Sequence, residues 1–465
     1  MNRDAAIAWT ADYFAMGHFE ADLSRRVAIP TESQHPRGLP HCRAYLSEEM
    51  AGTLGALGFA TRIIENPVEG IGPVMIAHRD EGADLTVLGY GHGDVILGQD
   101  ERWTKGNGPW AAARDGDRLY GRGTADNKGQ HSINIAALQA AIETRGKLGF
   151  NAKILIETAE ENGSVGLHQI VEADRDAFAA DVFIASDGPR VRADRPTLSL
   201  GARGGMNFDL ICDLREGAHH SGNWGGALAD PAMILSHALA SISGPTGEIL
   251  VPEMLPPPMT NAVRAALADI EIDGGPDGPV IDPGWGAPGL TTAERVYGWN
   301  SFAVLALGSG DIAAPVNAIQ PKARAHCQLR FVAGTDTSKV LPGLRAHLDA
   351  AGFDMVEIRP PDGRDPIRFD ASRTEPDHPW VARVLASVEE TIGTRPAIIP
   401  QMGGSICNDV FTDILGLPAI WLPHSYTGCS QHAPDEHLLL PVAENALAIM
   451  AGLYWDLGEA AQTAL

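Results

Sequence analysis

Two adjacent glutamates, Glu160 and Glu161, constrain this chain more than any other feature of its sequence. They follow Lys153-Ile-Leu-Ile-Glu-Thr-Ala159, a run typical of a strand buried in a sheet. Adjacent carboxylates at the end of a buried strand repel one another unless a cation lies beside them. No Lys or Arg lies nearby in the sequence, so the pair indicates a bound metal ion, with a solvated loop as the alternative.

Four further motifs place histidines or carboxylates at the ends of candidate strands or in turns. They are His92 with Asp94 in Gly-His-Gly-Asp, Asp126 after Gly-Arg-Gly-Thr-Ala, Asp187 in Ser-Asp-Gly, and His432. His424 and His437 are alternative candidates for the role of His432. Each motif alone is also typical of an ordinary turn, a helix cap or a structural histidine. Together they supply the ligands of a two-metal hydrolase and a carboxylate base for the attacking water. Because residues two apart on a strand point to one side, Asp94 is expected to orient the His92 ring.

Composition and charge narrow the class of protein. A chain of 465 residues exceeds what one hydrophobic core usually supports, which predicts two domains. The formal net charge of −24 argues against nucleic acid or an anionic membrane as a partner. Five cysteines without a repeated spacing, no signal peptide and no apolar run of the ~20 residues that a membrane span needs predict a cytoplasmic protein.

The apolar pattern predicts an α/β fold with an insertion. Near-continuous apolar strands are predicted at 85–89, 152–158 and 181–186, and helices at 43–57 and 128–144. From about residue 201 the strands alternate apolar with polar residues (206–212 and 323–332), with helices at 232–243 and 340–351 and a loop-rich stretch at 244–292. The pattern of near-continuous apolar strands and helices returns near residue 372, with a helix at 380–393 and strands at 398–402 and 419–422. We therefore predict a discontinuous catalytic domain, 1–202 with 372–465, built on a mixed sheet, and an inserted α+β lid or dimerisation domain, 203–371.

The ordered motif set resembles the metal-dependent exopeptidase and amidohydrolase family that includes acetylornithine deacetylase, succinyl-diaminopimelate desuccinylase, glutamate carboxypeptidase, aminoacylase and carnosine dipeptidase. The resemblance implies two divalent ions per chain, most often zinc, with cobalt or manganese in some members. It implies two ligand sets that share a bridging aspartate, namely His92, Asp126 and Asp187, and Asp126, Glu161 and His432. Asp94 matches the aspartate behind the histidine ligand, and Glu160 matches the general base.

The middle of the chain extends the resemblance. His220 precedes Ser-Gly, as does the lid histidine that relatives send into the partner subunit's active site to steady the oxyanion. Asn317 and Arg330 resemble the pair that holds the substrate carboxylate, and Gly403-Gly404 resembles a loop that closes on the same group. A turn, a surface salt bridge and a tight loop are the alternatives from the residues alone. The resemblance implies a homodimer through the lid domain, and we expect the strand at 206–212, as an edge strand, and the helix at 232–243 to pair about its two-fold axis.

These observations predict an enzyme that cleaves the amide bond of a dipeptide or N-acyl amino acid with a free carboxylate, as a dipeptidase, carboxypeptidase or deacylase. Two alternatives stay open: a non-catalytic binding protein on the same fold, and a two-metal hydrolase of another bond type, such as a phosphatase or nuclease. The intact Glu160 argues against the first alternative, and the acidic charge balance argues against the second.

Overall fold

The computed structural model describes residues 2–272, 279–360 and 367–460 of the chain. Two sheets organise it. Their strands, in chain order, are β1 (Ala60–Ile64), β2 (Val74–Arg79), β3 (Thr86–His92), β4 (Asn151–Glu157), β5 (Val182–Ala185), β6 (Thr197–Ser199), β7 (Gly204–Asp213), β8 (Ser301–Gly308), β9 (Lys322–Phe331), β10 (Val356–Arg359), β11 (Ala397–Ile399) and β12 (Ala419–Trp421).

The helices occur along the whole described chain. They are α1 (Arg3–Ala15), α2 (His18–Val27), α3 (Leu39–Ala44), α4 (Ala51–Ala56), α5 (Lys128–Arg145), α6 (Leu167–Ala173), α7 (Arg175–Phe178), α8 (Ser221–Trp224), α9 (Pro231–Ile242), α10 (Asn261–Leu267), α11 (Thr292–Tyr297), α12 (Thr337–Ala350), α13 (Pro379–Ile392) and α14 (Leu440–Ala460). A π-helical turn, Tyr45–Met50, joins α3 to α4, so the helix predicted at 43–57 begins four residues earlier than expected.

The main sheet has eight strands in the order β1-β2-β4-β3-β5-β12-β6-β11. It is mixed: β3 runs parallel to β4 and β5, whereas β2 runs antiparallel to β1 and β4. The central strands are mostly apolar because helices cover both faces of the sheet. Helices α1, α5 and α14 pack together on one face, while Phe183, Phe411 and Trp421 form an aromatic cluster on the other. The predicted α/β fold with a mixed sheet is confirmed.

Helix α5 carries the stripe that the sequence predicts. Its small and branched residues, Ile133, Ala136, Ala137, Ala140 and Ala141, are all buried. Alanines on this stripe allow the helix to lie close to its neighbours α1 and α14, with which it shares the largest core cluster. This packing fixes the start of α5, and the residues just before that start belong to the candidate site.

The second sheet is antiparallel, with the order β8-β9-β7-β10 and a short strand, Ile367–Phe369, also paired with β7. Helices α9 and α12 pack on it through buried leucines such as Leu235 and Leu344. The sequence pattern at 206–212 suggested an edge strand able to pair with a second subunit, and that suggestion is wrong. That segment is β7, which has partners on both sides, and β8 is an edge of the sheet instead.

The chain passes between the two sheets at one point. Gly201–Ala202 pairs antiparallel with Ser372–Arg373, where the chain leaves the main sheet and returns to it. The predicted domain boundaries, 202/203 and 371/372, fall at this pair, and the division into two domains stays a prediction. Further short strands pair locally: His219–His220 with Ala318–Ile319, Pro189–Arg190 with Ser425–Tyr426, and Arg118–Tyr120 with both Ala113–Asp115 and His437–Leu439.

Two sequence expectations concern features without a direct role in the site. All five cysteines are buried and free, as their irregular spacing predicted. Within the described ranges, no helix has both the length and the apolar character that crossing a membrane would require.

Candidate active site

The site lies where neighbouring strands of the main sheet end. Strand β3 ends at His92, β4 ends three residues before Glu160, and β5 ends two residues before Asp187. Because β3 is parallel to both β4 and β5, their carboxyl ends meet at one edge of the sheet, which is where α/β folds bind ligands. Asp126 reaches the same edge from the turn before α5, and His432 reaches it from the loop before α14.

A first group of possible metal ligands contains His92, Asp126 and Asp187, all buried. His92 Nε2 lies 3.0 Å from Asp126 Oδ1 and 3.6 Å from Asp187 Oδ2. The other ring nitrogen, Nδ1, lies 3.1 Å from the backbone carbonyl oxygen of Asp94, which fixes the ring orientation. One nitrogen and two carboxylate oxygens thus converge on a common point.

A second group contains Asp126, Glu161 and His432. His432 Nε2 lies 2.9 Å from Asp126 Oδ2 and 3.3 Å from Glu161 Oε2. The two oxygens of Asp126 therefore face different histidines, Oδ1 towards His92 and Oδ2 towards His432. This is the arrangement that a carboxylate bridging two metal ions requires. The structure brings together every residue that the sequence predicted as a ligand, in the two predicted sets.

Asp94 holds the turn that carries the glutamate pair. Its Oδ1 accepts the backbone N–H of Glu160, and its Oδ2 accepts the N–H of Glu161 and the hydroxyl of Ser33. The sequence predicted that the Asp94 carboxylate orients His92, but the carboxylate Oδ1 is 3.5 Å from the ring and the closer contact is the Asp94 carbonyl. Asp94 is thus a positioning residue for both His92 and the 3₁₀ turn Glu160–Asn162.

Glu436 performs the same task for Asp126, and the sequence interpretation missed it. Its Oε1 accepts the backbone N–H groups of Gly123, Ala125 and Asp126, and its Oε2 pairs with Arg122 Nη1 over 2.8 Å. Both members of this ion pair are buried. The only sequence signal was the position of Glu436 four residues after His432, which does not reveal a role in a turn 310 residues away.

The loop that delivers His432 has an unusual backbone. Ser430, His432 and Asp435 all have positive φ angles (56°, 60° and 63°), which residues other than glycine rarely adopt. Asp435 accepts hydrogen bonds from the backbone N–H groups of Thr104 and Lys105, and these contacts tie the loop to the segment around residue 104. Gln431 Nε2 also donates to Asp126 Oδ2 over 2.6 Å. Such a backbone is typical of a functional loop over-determined by its surroundings.

The pKa shifts of the clustered carboxylates are those expected of a site that binds a cation. Burial, and then the negative charge of Asp126, raise the pKa of Glu161 to about 7, and burial raises the pKa of Asp187 to about 6. Burial also raises the pKa of Glu160 well above its usual value, and the charges of Glu161, Asp187 and Asp126 add to that rise. Hydrogen bonds to Asp126 and Glu161 raise the pKa of His432 to about 11. A divalent cation would relieve this crowding of carboxylates, and two sets of imidazole and carboxylate donors fit such ions.

These side chains line a cavity of about 640 Å³ between the two sheets. Asp126, Glu160, Asp187 and His432 line it from the main-sheet side. Residues of the second sheet, including Asn207, Gln328 and Arg330, line the opposite side. The cavity is large enough for a small peptide and has acidic groups on one wall and a guanidinium on the other.

Arg330 belongs to a hydrogen-bonded unit with the glycine loop that the sequence singled out. Its Nη1 donates to Ser405 Oγ over 2.6 Å, and that hydroxyl donates to the backbone carbonyl of Arg203 over 2.6 Å. The side chain of Arg203 in turn donates to the carbonyl oxygen of Gly403. Gly403 and Gly404 both line the cavity. Sequence reasoning found Arg330 and the glycines but not Arg203, which ties them together.

Two predicted residues lie elsewhere. His220 is exposed, accepts the N–H of Gly222 through Nδ1, and is not among the residues that line the cavity. Asn317 is also exposed and outside the cavity, and its carbonyl accepts the N–H of Ser221. The adjoining strands His219–His220 and Ala318–Ile319 pair with each other, so the two residues are neighbours. Their assignment to the active site therefore stays a prediction.

Comparison with known proteins identifies the family. The model of "Peptidase family M20/M25/M40" matches residues 88–456, which include every candidate ligand. The chain belongs to this family of peptidases, so the predicted family resemblance and enzyme class are confirmed.

Curated relatives and solved structures agree with this assignment. The chain is 28% identical to a cysteinylglycine-S-conjugate dipeptidase of Corynebacterium striatum over 335 residues, 69% of each protein. It is 26% identical to the human Beta-Ala-His dipeptidase over 466 residues, 90% of this chain and 86% of the relative. The crystal structure of human carnosine dipeptidase 1 superposes with a TM-score of 0.75 at 22% identity, covering 98% of this chain and 100% of that one, which shows the shared fold.

Proposed function

We propose that this protein is a metal-dependent dipeptidase that hydrolyses the amide bond of a small peptide with a free carboxylate. One observation carries the proposal: members of both ligand groups, the adjacent Glu160 and Arg330 line one cavity. The names of the relatives, which are dipeptidases, support the same substrate class. N-acyl amino acids present the same carboxylate and amide, so aminoacylase or carboxypeptidase activity is the neighbouring proposal.

The metal is proposed to be zinc at both positions, with cobalt or manganese as substitutes. His92, Asp126 and Asp187 would hold one ion, and Asp126, Glu161 and His432 the other. The mixture of imidazole and carboxylate donors suits zinc, which accepts both. When bound, such ions lower the pKa of water towards neutrality and polarise a carbonyl group.

Glu160 is proposed to move the protons of the reaction. Its carboxylate lines the cavity next to both ligand groups, where it can accept a proton from a water molecule bound there. It would take a proton from the attacking water and pass it to the leaving amine. Asp94 holds the backbone of Glu160, so the carboxylate stays in place between these two transfers.

Arg330 is proposed to bind the C-terminal carboxylate of the substrate. Its guanidinium is positioned by Ser405 and by Gln328 Oε1, which accepts the Nε hydrogen over 3.0 Å. Of the described residues that line the cavity, Arg330 is the only cationic side chain apart from His432. A single guanidinium suits one carboxylate better than a polyanionic phosphate substrate, which would favour several cations.

The working unit is proposed to be a cytoplasmic homodimer built through the lid domain. Strand β8 is an edge strand, and its Val304, Leu305 and Leu307 are exposed. Exposed apolar side chains on an unpaired strand edge favour pairing with another chain. In the dimer, His220 and Asn317 of one subunit would complete the cavity of the other, where His220 would donate to the oxyanion and Asn317 would contact the substrate carboxylate.

The dipeptidase proposal predicts the outcome of a substrate screen. Purified protein supplied with zinc, cobalt or manganese should hydrolyse dipeptides with a free carboxylate and should be inactive on the same peptides amidated at the C-terminus. A chelator should abolish hydrolysis, and added metal should restore it. Release of the free amino acids, followed by chromatography, measures both effects. Equal hydrolysis of the amidated peptides would contradict the carboxylate grip, and full activity in metal-free protein would contradict the mechanism.

The dimer proposal predicts complementation between two inactive variants. His220→Ala should lower kcat by about 100-fold or more, the usual effect of losing an oxyanion donor. Mixed with Glu160→Gln under conditions that exchange subunits, it should recover about a quarter of wild-type activity, because half of the dimers are mixed and each contains one complete site. If the subunits exchange and no activity returns, His220 acts within its own chain or has no role in catalysis.

A further inference from the structure

We propose that the two terminal residues of helix α11, Val296 and Tyr297, build an apolar subsite that selects the side chain of the substrate's C-terminal residue. The inference rests on the proposed dipeptidase function and adds the substrate preference of the same site: a neutral, apolar C-terminal residue such as leucine or phenylalanine. Neither residue lies in a motif that the sequence interpretation used. Both line the cavity.

Helix α11 lies in the inserted segment but is anchored to the main sheet. Its Ala293 packs in a buried cluster with Val263 and Leu267 of α10 and with Ala397 and Ile399 of strand β11. A capping box closes its start, with Thr291 Oγ1 accepting the N–H of Glu294 and the Glu294 carboxylate accepting the N–H of Thr291. Arg264 of α10 pairs with the same carboxylate over 2.7 Å. The end of α11 is therefore held in place, as a specificity wall requires.

The end of α11 lies directly over the glycine loop beside Arg330. A methyl group added at Gly403 would be 3.6 Å from Val296 Cγ1 and 3.9 Å from Tyr297 Cε1. A methyl group added at Gly205, on the other side of the guanidinium, would be 3.4 Å from Arg330 Nη1 and 3.7 Å from Ser405 Oγ. Arg330, which is proposed to bind the carboxylate, and the apolar side chains of Val296 and Tyr297 thus contact the same loop. A substrate carboxylate on Arg330 places the adjacent Cα and its side chain within reach of Val296 and Tyr297.

The chemistry of the remaining lining residues favours an apolar side chain there. Ile399, Met402 and Phe369 also face the cavity from nearby segments. Outside the metal-ligand cluster and Glu160, Arg330 is the one charged side chain among the described lining residues. Against Val296 and Tyr297 a charged side chain would lose its hydration, whereas an apolar one gains about 25 cal/mol per Å² of buried surface. The charged group beside Gly403, Arg203, already donates to the Gly403 carbonyl oxygen.

The test compares dipeptides that differ only in the C-terminal residue: Ala-Gly, Ala-Leu, Ala-Phe, Ala-Asp and Ala-Lys. Wild type should prefer Ala-Leu and Ala-Phe, mainly through a lower KM. Tyr297→Ala should reduce the preference for Ala-Leu over Ala-Gly, measured as the ratio of their kcat/KM values, by about 10-fold, the usual effect of losing part of an apolar pocket. Val296→Ala should act in the same direction with a smaller effect.

Tyr297→Phe is the matched control, since it keeps the ring and removes only the hydroxyl, and it should retain the wild-type preference. Calorimetric titration of Ala-Leu and Ala-Gly into Glu160→Gln protein separates this inference from the proposed function, because it measures binding without hydrolysis. Tighter binding of Ala-Leu there supports the subsite even if no dipeptide is cleaved by wild type. Equal binding of the two dipeptides, or an unchanged preference in both Tyr297→Ala and Val296→Ala, overturns it.

Discussion

Glu160→Gln should lower kcat for dipeptide hydrolysis by at least ~100-fold, the usual contribution of a general base. Glutamine has the shape of glutamate but cannot accept the proton of the attacking water. The fold should not change, because the structure uses the backbone N–H of Glu160, donated to Asp94 Oδ1, rather than the side chain to hold the turn. Metal content should also stay near that of wild type, since Glu160 belongs to neither ligand group.

The measurement pairs single-turnover rates with elemental analysis of the same preparation. A suitable control is Glu172→Gln, which makes the same chemical change at an exposed glutamate on α6 and should leave the rate unchanged. If Glu160→Gln kept its metals and its activity, another group would have to accept the proton. If it lost its metals, the loss of activity would say nothing about proton transfer, and Glu160 would have to be counted as a ligand.

The sequence predicted the main sheet and the ligand set because both depend on local patterns. Near-continuous apolar runs locate β3, β4 and β5, and parallel strands necessarily bring the residues after them to one edge. The side chains at those strand ends therefore converge, and Asp126 and His432 join them from the turn before α5 and from the loop before α14.

Strand order and long-range anchoring were not predictable in the same way. Alternation of apolar and polar residues in β7 identifies a strand with one wet face, but it does not tell whether the strand lies inside the sheet or at its edge. Glu436 binds backbone groups of a turn that precedes it by more than 300 residues, and no local pattern encodes that contact. Tyr297 reaches the cavity only because α10 and α11 dock on β11, which is also a non-local event.

His220 shows a second reason why a sequence motif does not by itself place a residue in the active site. The motif around it resembles a lid histidine of an active site, yet in the single chain it lies outside the cavity. The role that we propose for it in a neighbouring subunit depends on an assembly that one chain does not contain. The same holds for Asn317, which adjoins it through the paired strands His219–His220 and Ala318–Ile319. A sequence motif can therefore indicate an active-site role for a residue that lies outside the cavity of the single chain.

Asp126→Ala should remove both metal ions, whereas His432→Ala should weaken mainly one. The reason is the geometry of the Asp126 carboxylate, whose Oδ1 lies 3.0 Å from His92 Nε2 and whose Oδ2 lies 2.9 Å from His432 Nε2. Each ligand group loses one of its three protein donors when Asp126 is removed, but only one group loses a donor when His432 is removed. Metal content, measured after dialysis against buffer with a low metal concentration, should fall from about two ions per chain to well below one in Asp126→Ala and to about one in His432→Ala.

A side-chain truncation at an exposed aspartate, Asp84→Ala, controls for the general effect of removing a carboxylate and should bind as much metal as wild type. Thermal unfolding with and without added zinc gives a second measure, because a ligand that binds only the folded state raises Tm, and at a given concentration a tighter ligand raises it further. The rise on adding zinc should be largest for wild type, smaller for His432→Ala and smallest for Asp126→Ala. Equal losses of metal in these two variants would mean that the ions bind as one cooperative cluster. Loss of a single ion in Asp126→Ala would mean that the two oxygens of Asp126 serve the same ion, and the bridging assignment would then be wrong.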